Sequence, residues 1–255
     1  MESVTHTPVL RHGPDGSQPA TDALAVEEPL ELRLDGHPVA VLMRTPGLDE
    51  ELAAGFLVTE GIVSSLEQIR KIEARPDENR VLVFLRDDVR VDLARLTRHL
   101  FTGSSCGLCG KATLDAILTH SPPISRRVEI PDDVLLSAPE KLRASQSIFD
   151  TTGGIHAAGL FSRTGELLVA REDIGRHNAV DKVIGRALLD EMDLGEIFLM
   201  VSGRASFEIM QKALAARIPL VAAVSAPSSL AVEFAKESRQ GLIGFLRPPG
   251  FNRYG

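Results

Sequence analysis

The sequence predicts an α/β protein, a mixed sheet flanked by helices, with a smaller N-terminal α/β part ahead of it. Three observations predict it. The last hundred of the 255 residues alternate strand-like and helix-like segments. An alternating run folds back on itself about Asp35-Gly36 near the start. Hydrophobic residues make up 44% of the chain and charged residues 25%, which supports a packed core and excludes global disorder or a collagen-like repeat.

Residues 1–25, rich in Thr, Pro, Gly, Asp and His, have no hydrophobic period and are expected to form a mobile tail. Leu30 to Leu34 alternates with period two, Asp35-Gly36 turns, and Val39 to Met43 returns as the second arm of a hairpin. Leu48 to Ile62 reads as a helix, with Asp49, Glu50 and Glu51 in its first turn and Leu52, Ala53, Phe56 and Leu57 on its apolar face. Val81 to Leu85 is a further strand. The glycine-rich stretch from Phe101 to Gly110 is a loop leading into a short helix over Lys111 to Leu118. Ser121-Pro122-Pro123 interrupts the pattern, and Pro131 to Phe149 resumes as a helix.

Beyond residue 150, Ile155–Ser162 and Leu167–Arg171 pair as strands about Arg163-Thr164-Gly165. His177–Asp190 is helical, Ile197–Val201 a strand, Ser206–Ala216 a helix and Leu220–Val224 a buried strand. Leu230–Lys236 is a helix and Gly241–Leu246 a closing strand. The expected division is a tail over 1–25, an N-terminal part over 26–125 ending in the cysteine loop, and an α/β layer over 126–255.

Charge is distributed unevenly. Residues 1–150 hold 16 Lys and Arg against 24 Asp and Glu, whereas residues 151–255 hold 12 against 11. An overall charge of −7 argues against a nonspecific nucleic-acid binder but leaves room for an anion held by local arginines. The longest uncharged stretch, Ile218 to Val232, is too short and too broken by Pro and Ser to span a membrane. No basic start followed by an apolar run opens the chain, so the expected compartment is the cytoplasm, with thiols reduced.

The two cysteines, Cys106 and Cys109, form a Cys-x-x-Cys pair. A structural zinc site needs two further ligands. No other cysteine exists, the seven histidines are scattered, and no His-x-Glu of a zinc deaminase occurs, so no protein-bound metal is expected. Two uses stay open. One is dithiol–disulfide exchange, as in an oxidoreductase or redox chaperone, helped by a following helix that lowers the thiol pKa. The other is carriage of sulfur as a persulfide on a glycine-bearing loop.

Candidate anion sites lie at strand-to-helix junctions. In Arg171 to Lys182, Arg176 can clamp phosphate oxygens beside free helix-terminal N–H groups, with His177 next to it. On charge density alone, the plainer reading is a solvated helix start, with Asp173 near the cap and Asp181 and Lys182 facing outward. Ser202 to Ser206 places a turn with Arg204 after an apolar strand, and Ser225 to Ser229 does so with hydroxyls, Ser206 and Ser228 also suiting N-caps. Thr151 to His156 adds a Gly-Gly turn; His156 suits either a satisfied core position or proton carriage. No Walker A or Gly-x-Gly-x-x-Gly motif is present, so neither ATP hydrolysis nor a Rossmann site is indicated, although a nucleotide-binding scaffold with idle thiols would use the same loops.

Six ordered segments go further: SSCGLCGKA (104–112), TGGIHAAGL (152–160), REDIGRHNAVDKVIG (171–185), SGRASFEIMQKA (202–213), AVSAPSSLAV (223–232) and GFLRPPGFNRY (244–254). Together they resemble the formate dehydrogenase accessory sulfurtransferase family, of FdhD type, over about the whole chain after residue 25. The resemblance implies a homodimeric sulfur carrier that accepts persulfide sulfur from a cysteine desulfurase. It would pass that sulfur to the molybdenum (or tungsten) bis-pterin guanine dinucleotide cofactor before insertion into formate dehydrogenase. It implies an α/β fold with a cytidine-deaminase-like, zinc-free layer. Cys106 would be the persulfide carrier and Cys109 its partner thiol. The strand exit Phe245, Leu246, Arg247, Pro248, Pro249 and Gly250 would bind guanine dinucleotide, joined in the candidate site by Arg204, Arg176, His177 and Ser225, with GDP or GMP as surrogate ligands. Two departures from the family pattern stand out: Arg217 where Gly often precedes Ile-Pro, and the Pro248-Pro249 pair.

Overall fold

The computed structural model describes residues 2–14, 16–91, 118 and 121–254. The cysteine loop and almost all of the helix expected over Lys111 to Leu118 lie outside the described residues.

The expected N-terminal tail is a correction. Strands β1 (Val4–Gly13) and β2 (Gly16–Ala25) form a continuous antiparallel ribbon. Most side chains on both arms are exposed, so no burial imposes the alternation by which strands are read. The ribbon follows backbone pairing rather than a hydrophobic pattern.

The N-terminal sheet has the order β4-β3-β6-β5, built from β3 (Glu28–Leu34), β4 (His37–Arg44), β5 (Ile69–Arg75) and β6 (Arg80–Leu85). Leu30, Leu32 and Leu34 on β3 and Val81, Val83 and Leu85 on β6 point to one face and are buried, the period of two expected of a half-buried sheet. Helix α1 (Asp49–Thr59) covers that face. Its apolar stripe was legible; strand β5 (IRKIEAR) was not, because an edge strand carrying four charges shows no clean alternation.

The larger sheet has the order β12-β11-β10-β9-β7-β8. Its strands are β7 (His156–Phe161), β8 (Leu167–Asp173), β9 (Phe198–Val201), β10 (Leu220–Ala223), β11 (Gly241–Arg247) and β12 (Gly250–Tyr254). β9, β10 and β11 run parallel, while β7, β8 and β12 pair antiparallel with their neighbours. The mixed sheet flanked by helices is therefore as expected. Helices α4 (Arg176–Leu189), α5 (Phe207–Ala215) and α6 (Ser229–Glu237) cover one face. Helix α2 (Asp132–Ala144) covers the other, over Phe161, Phe198, Met200, Ala222 and Ile243.

Two boundaries differ from expectation. The helix expected over Pro131 to Phe149 is two: α2 ends at Ala144, and α3 (Ser147–Thr152) follows after Gln146 leaves the helical region at ψ 73°. The chain end continues past β11 as the antiparallel strand β12, hidden from a pattern reading by Pro248-Pro249.

Arg217 adopts φ 61°, the left-handed conformation that glycine tolerates best. Its side chain donates to the carbonyls of Pro122 and Pro123, which gives the arginine a local anchor.

Candidate functional site: the carboxyl edge of the large sheet

The topology brings the sequence-predicted loops together. Parallel β9, β10 and β11 end at Val201, Ala223 and Arg247 on one edge. Because β7 opposes β9, its first residue, His156, lies on that same edge, paired with Asp173 at the end of β8. Five segments therefore converge there: 152–155, 174–177, 202–206, 224–228 and 245–250. Arg176, His177, Arg204, Ser225 and the stretch from Phe245 to Gly250 all belong to them. Cys106 and Cys109 lie outside the described residues.

Backbone hydrogen bonds stitch these loops to one another. Ser202 N–H donates to the Ala157 carbonyl at 2.9 Å, and Ser202 Oγ accepts from Ala157 N–H at 2.9 Å. Phe245 N–H donates to the Ser225 carbonyl at 3.1 Å, and Ser228 N–H to the Ala205 carbonyl at 3.0 Å. Gly244 is required by this closeness: a Cβ there would approach Pro227 Cδ to 2.8 Å. The next residue, Phe245, occupies a register shift in the β11–β12 pairing with φ 54° and remains 39% exposed. A bulky residue at positive φ is a strained choice; here it turns a phenyl ring outward at the site's rim.

The Arg176 loop is braced from beneath. Asp173, fully buried, accepts from Gly175 N–H at 2.8 Å, Asn178 Nδ2 at 3.0 Å and Thr45 N–H at 3.2 Å, and pairs with Lys182 Nζ at 2.7 Å. Thr45 Oγ1 in turn accepts from Ile174 N–H at 3.1 Å. This corrects the picture of a solvated helix start. Asp181 and Lys182 are buried, not outward, and Asp173 anchors the turn to the β4–α1 corner. Charge density misled because every one of these charges has a partner on another element.

Of the two expected N-caps, both occupy the position, but only Ser228 caps with its side chain, accepting from Ala231 N–H at 3.2 Å. The Ser206 hydroxyl lies 3.4 Å from His177 Nε2. Burial, reinforced by the Arg176 charge, lowers the His177 pKa to about 4. His156 is lowered by the same two causes. Both imidazoles are therefore held toward the neutral form, in which a ring nitrogen can accept a hydrogen bond.

Among the described residues, Arg176, Arg204 and Arg247 pair with no carboxylate, and Arg176 Nε is buried without a hydrogen-bond partner. Three uncommitted guanidinium groups on one edge form a region suited to an anion. Also among the described residues, no three His, Cys, Asp or Glu side chains converge as a metal-ligand group, and no helix is long and apolar enough to cross a membrane.

A cavity of about 690 Å³ opens from this edge toward α2 and α3. The Gly153-Gly154 turn and His156, singled out in the sequence, line it. Arg143, Gln146, Phe149, Met200 and Val224 also line it, and sequence reasoning missed them. No local pattern marks them, since they come from five separate elements or loops.

An α/β layer with polar loops gathered beyond its parallel strands defines a ligand-binding class of architecture, and comparison with known proteins narrows it. The family model described as the FdhD/NarQ family matches residues 25–255. The chain is 48% identical over 261 residues to the sulfur carrier protein FdhD of Streptomyces coelicolor, covering 96% of this chain and 90% of that protein. It is 44% identical over 239 residues to the protein of the same name from Sulfurisphaera tokodaii, covering 91% and 89%. The crystal structure of a candidate formate dehydrogenase accessory protein from Desulfotalea psychrophila superposes with a TM-score of 0.80 at 26% identity, covering 99% of this chain and 96% of that one. The chain belongs to the FdhD/NarQ family.

Proposed function

We propose that this protein is a cytoplasmic, homodimeric sulfur carrier of the sulfurtransferase class that serves formate dehydrogenase. It takes persulfide sulfur from a cysteine desulfurase and delivers it to the molybdenum bis-pterin guanine dinucleotide cofactor, its bound substrate, before that cofactor enters the enzyme. Family membership and the printed names of the relatives support the carrier role. The observation that carries the substrate is the sheet edge itself. Among the described residues, Arg176, Arg204 and Arg247 pair with no carboxylate there, and the outward ring of Phe245 lies on the same sheet edge. A large ligand of flat rings joined by phosphates needs that combination. We also read the six-stranded layer as related to the cytidine deaminases without their zinc chemistry, a reading supported by its three parallel central strands and helices on both faces.

In the chemistry proposed, the Cys106 thiolate attacks the outer sulfur of the desulfurase persulfide. A new S–S bond forms on Cys106 as the donor's S–S bond breaks, and the donor leaves as a thiolate. Release of the carried sulfur as sulfide takes two electrons. Cys109 supplies them by attacking Cys106 and closing a disulfide, which a dithiol reductant reopens.

Mass spectrometry tests this directly. After incubation with a desulfurase and L-cysteine, the peptide carrying Cys106 and Cys109 gains one sulfur mass, and Cys106→Ala abolishes the gain. In a strain lacking its own copy, Cys106→Ala fails to restore formate dehydrogenase activity. An unmodified wild-type peptide, or a fully active Cys106→Ala strain, overturns the carrier role. GDP binds the wild type, and Arg247→Ala weakens it about tenfold through loss of one charge-assisted contact.

A further inference from the structure

Thr45 stands at the corner between β4 and α1 and is 1% exposed, so it cannot touch a ligand. All three of its polar groups are bonded to one distant segment, residues 173–182. Its N–H donates to Asp173 Oδ2 at 3.2 Å, its Oγ1 accepts from Ile174 N–H at 3.1 Å, and its carbonyl accepts from Lys182 Nζ at 2.9 Å. Two residues earlier, the Met43 carbonyl accepts from Asn178 Nδ2 at 2.7 Å. This corner of the N-terminal part therefore holds both flanks of Gly175-Arg176-His177, Ile174 on one side and Asn178 on the other.

Arg176 has little hold of its own. Its Nε is buried without a hydrogen-bond partner among the described residues. The helix that it opens begins on Gly175, which has no side chain with which to cap. A Cβ at Gly175 would lie 2.8 Å from Asn178 Nδ2, so the turn is folded closely around the amide that Met43 holds. A long side chain in this condition is placed by the backbone that carries it, and supporting bonds of that kind decide how well a binding group is preorganised.

We propose that Thr45 is a positioning residue for the ligand of the arginine edge. Through its bonds to Asp173 and Ile174, the N-terminal part sets where Arg176 stands and so how tightly the edge holds an anion. That the anion is a guanine-nucleotide phosphate rests on the sulfur-carrier reading; that Thr45 acts on Arg176 rests on the bonds alone. The coupling is reciprocal. An anion gripped by Arg176 firms the corner in return, so occupancy of the edge is felt at the head of α1.

Thr45→Val keeps the side-chain shape and the backbone bonds but deletes the acceptor of Ile174 N–H. Calorimetry should show GDP binding about three- to tenfold more weakly to Thr45→Val than to the wild type, the loss of one buried hydrogen bond. Thr45→Ser, which keeps the hydroxyl, should restore the wild-type affinity. In an Arg176→Ala background, Thr45→Val should leave Kd unmoved, because the group it positions is gone. A purely structural role would weaken binding equally in both backgrounds.

His177, next to Arg176 on the same turn, gives a reading that needs no ligand. Its pKa of about 4 comes from burial first, then from the Arg176 and Lys212 charges, against Glu208 and Glu60. A loosened turn hydrates the ring and moves its NMR titration up toward the ordinary 6.5. Urea midpoints check folding, and Thr45→Ala repeats the comparison if Thr45→Val does not fold. Unchanged GDP affinity in Thr45→Val, or an equal loss in both backgrounds, overturns the inference while the cofactor reading stands. If the wild type binds no GDP, the cofactor reading falls and the His177 titration decides: an upward move in Thr45→Val supports positioning by Thr45, and an unmoved curve overturns it.

Discussion

His177 shows how a single residue is tuned by its neighbours. It follows Arg176 at the start of α4 and faces Ser206, with Glu208 3.9 Å away. Burial opposes its charge first and Arg176 next, and the opposing pull of Glu208 and Glu60 does not recover the difference, so its pKa falls to about 4 from an ordinary 6.5. Above pH 6.5 the imidazole is neutral whether the chain is folded or unfolded. Between pH 6.5 and about 4 the unfolded chain takes a proton that the folded one refuses, so stability falls with pH across that window and no further below it. His177→Gln removes the titration while keeping a polar group beside Ser206. Urea midpoints at pH 7 and pH 5 should show the wild type losing about 1–2 kcal/mol more than the variant on acidification. Equal losses would mean that the ring is solvated in the folded protein.

At the scale of elements, the contact between α1 and α4 decides how the two sheets are joined. α1 is buried on nearly every side because it lies between the N-terminal sheet and α4. Gly55 and Gly185 make the approach possible: a Cβ at Gly55 would overlap the backbone of Asp181, and one at Gly185 the backbone of Glu51. Gly185→Ala should therefore destabilise the protein by at least about 2 kcal/mol in urea denaturation, although alanine is the better helix former; a neutral or stabilising result would refute the close crossing. Elements with one apolar face were legible from sequence, as β3, β6 and α5 show through Leu30 to Leu34, Val81 to Leu85 and Phe207, Met210 and Leu214. The ribbon and β5 were not legible, since most of the ribbon's side chains stay exposed and β5 carries its charges at an edge. The site was half legible. Loops with Gly and Arg between strand and helix advertise themselves, as Gly203-Arg204 does, whereas Gln146, Met200 and Val224 meet only through the tertiary fold.

At the scale of the whole molecule, a buried ionic cluster does what the acidic N-terminal part and the near-neutral C-terminal part leave open. Lys212 on α5 donates to Asp181 on α4 at 2.9 Å, to Thr59 on α1 at 3.0 Å and to Glu60 at 2.6 Å. Burial works against the Lys212 charge, but Asp181 and Glu60 more than reverse it, so its pKa is raised and the ammonium persists. Arg171 adds a bidentate bond to Glu51 of α1 at 2.6 and 3.0 Å. The C-terminal layer thus holds the N-terminal part by cations that grip its acids, and the same α1 corner braces Asp173 under the Arg176 loop. Removing one partner of such a cluster costs more than the pair itself contributes, because the remaining charge is stranded. Lys212→Met should lose about 3–5 kcal/mol, while Lys212→Met with Asp181→Leu should recover most of that loss, since no carboxylate is then left buried without its cation. Urea denaturation followed by far-ultraviolet circular dichroism reads both values. If the two parts depend on this joint, the wild type unfolds in one transition and Lys212→Met either does so at lower urea or separates into two. A double variant no more stable than Lys212→Met would show that the cluster contributes its own attraction, and that α1 is held to the layer by charge rather than by the glycine crossing alone.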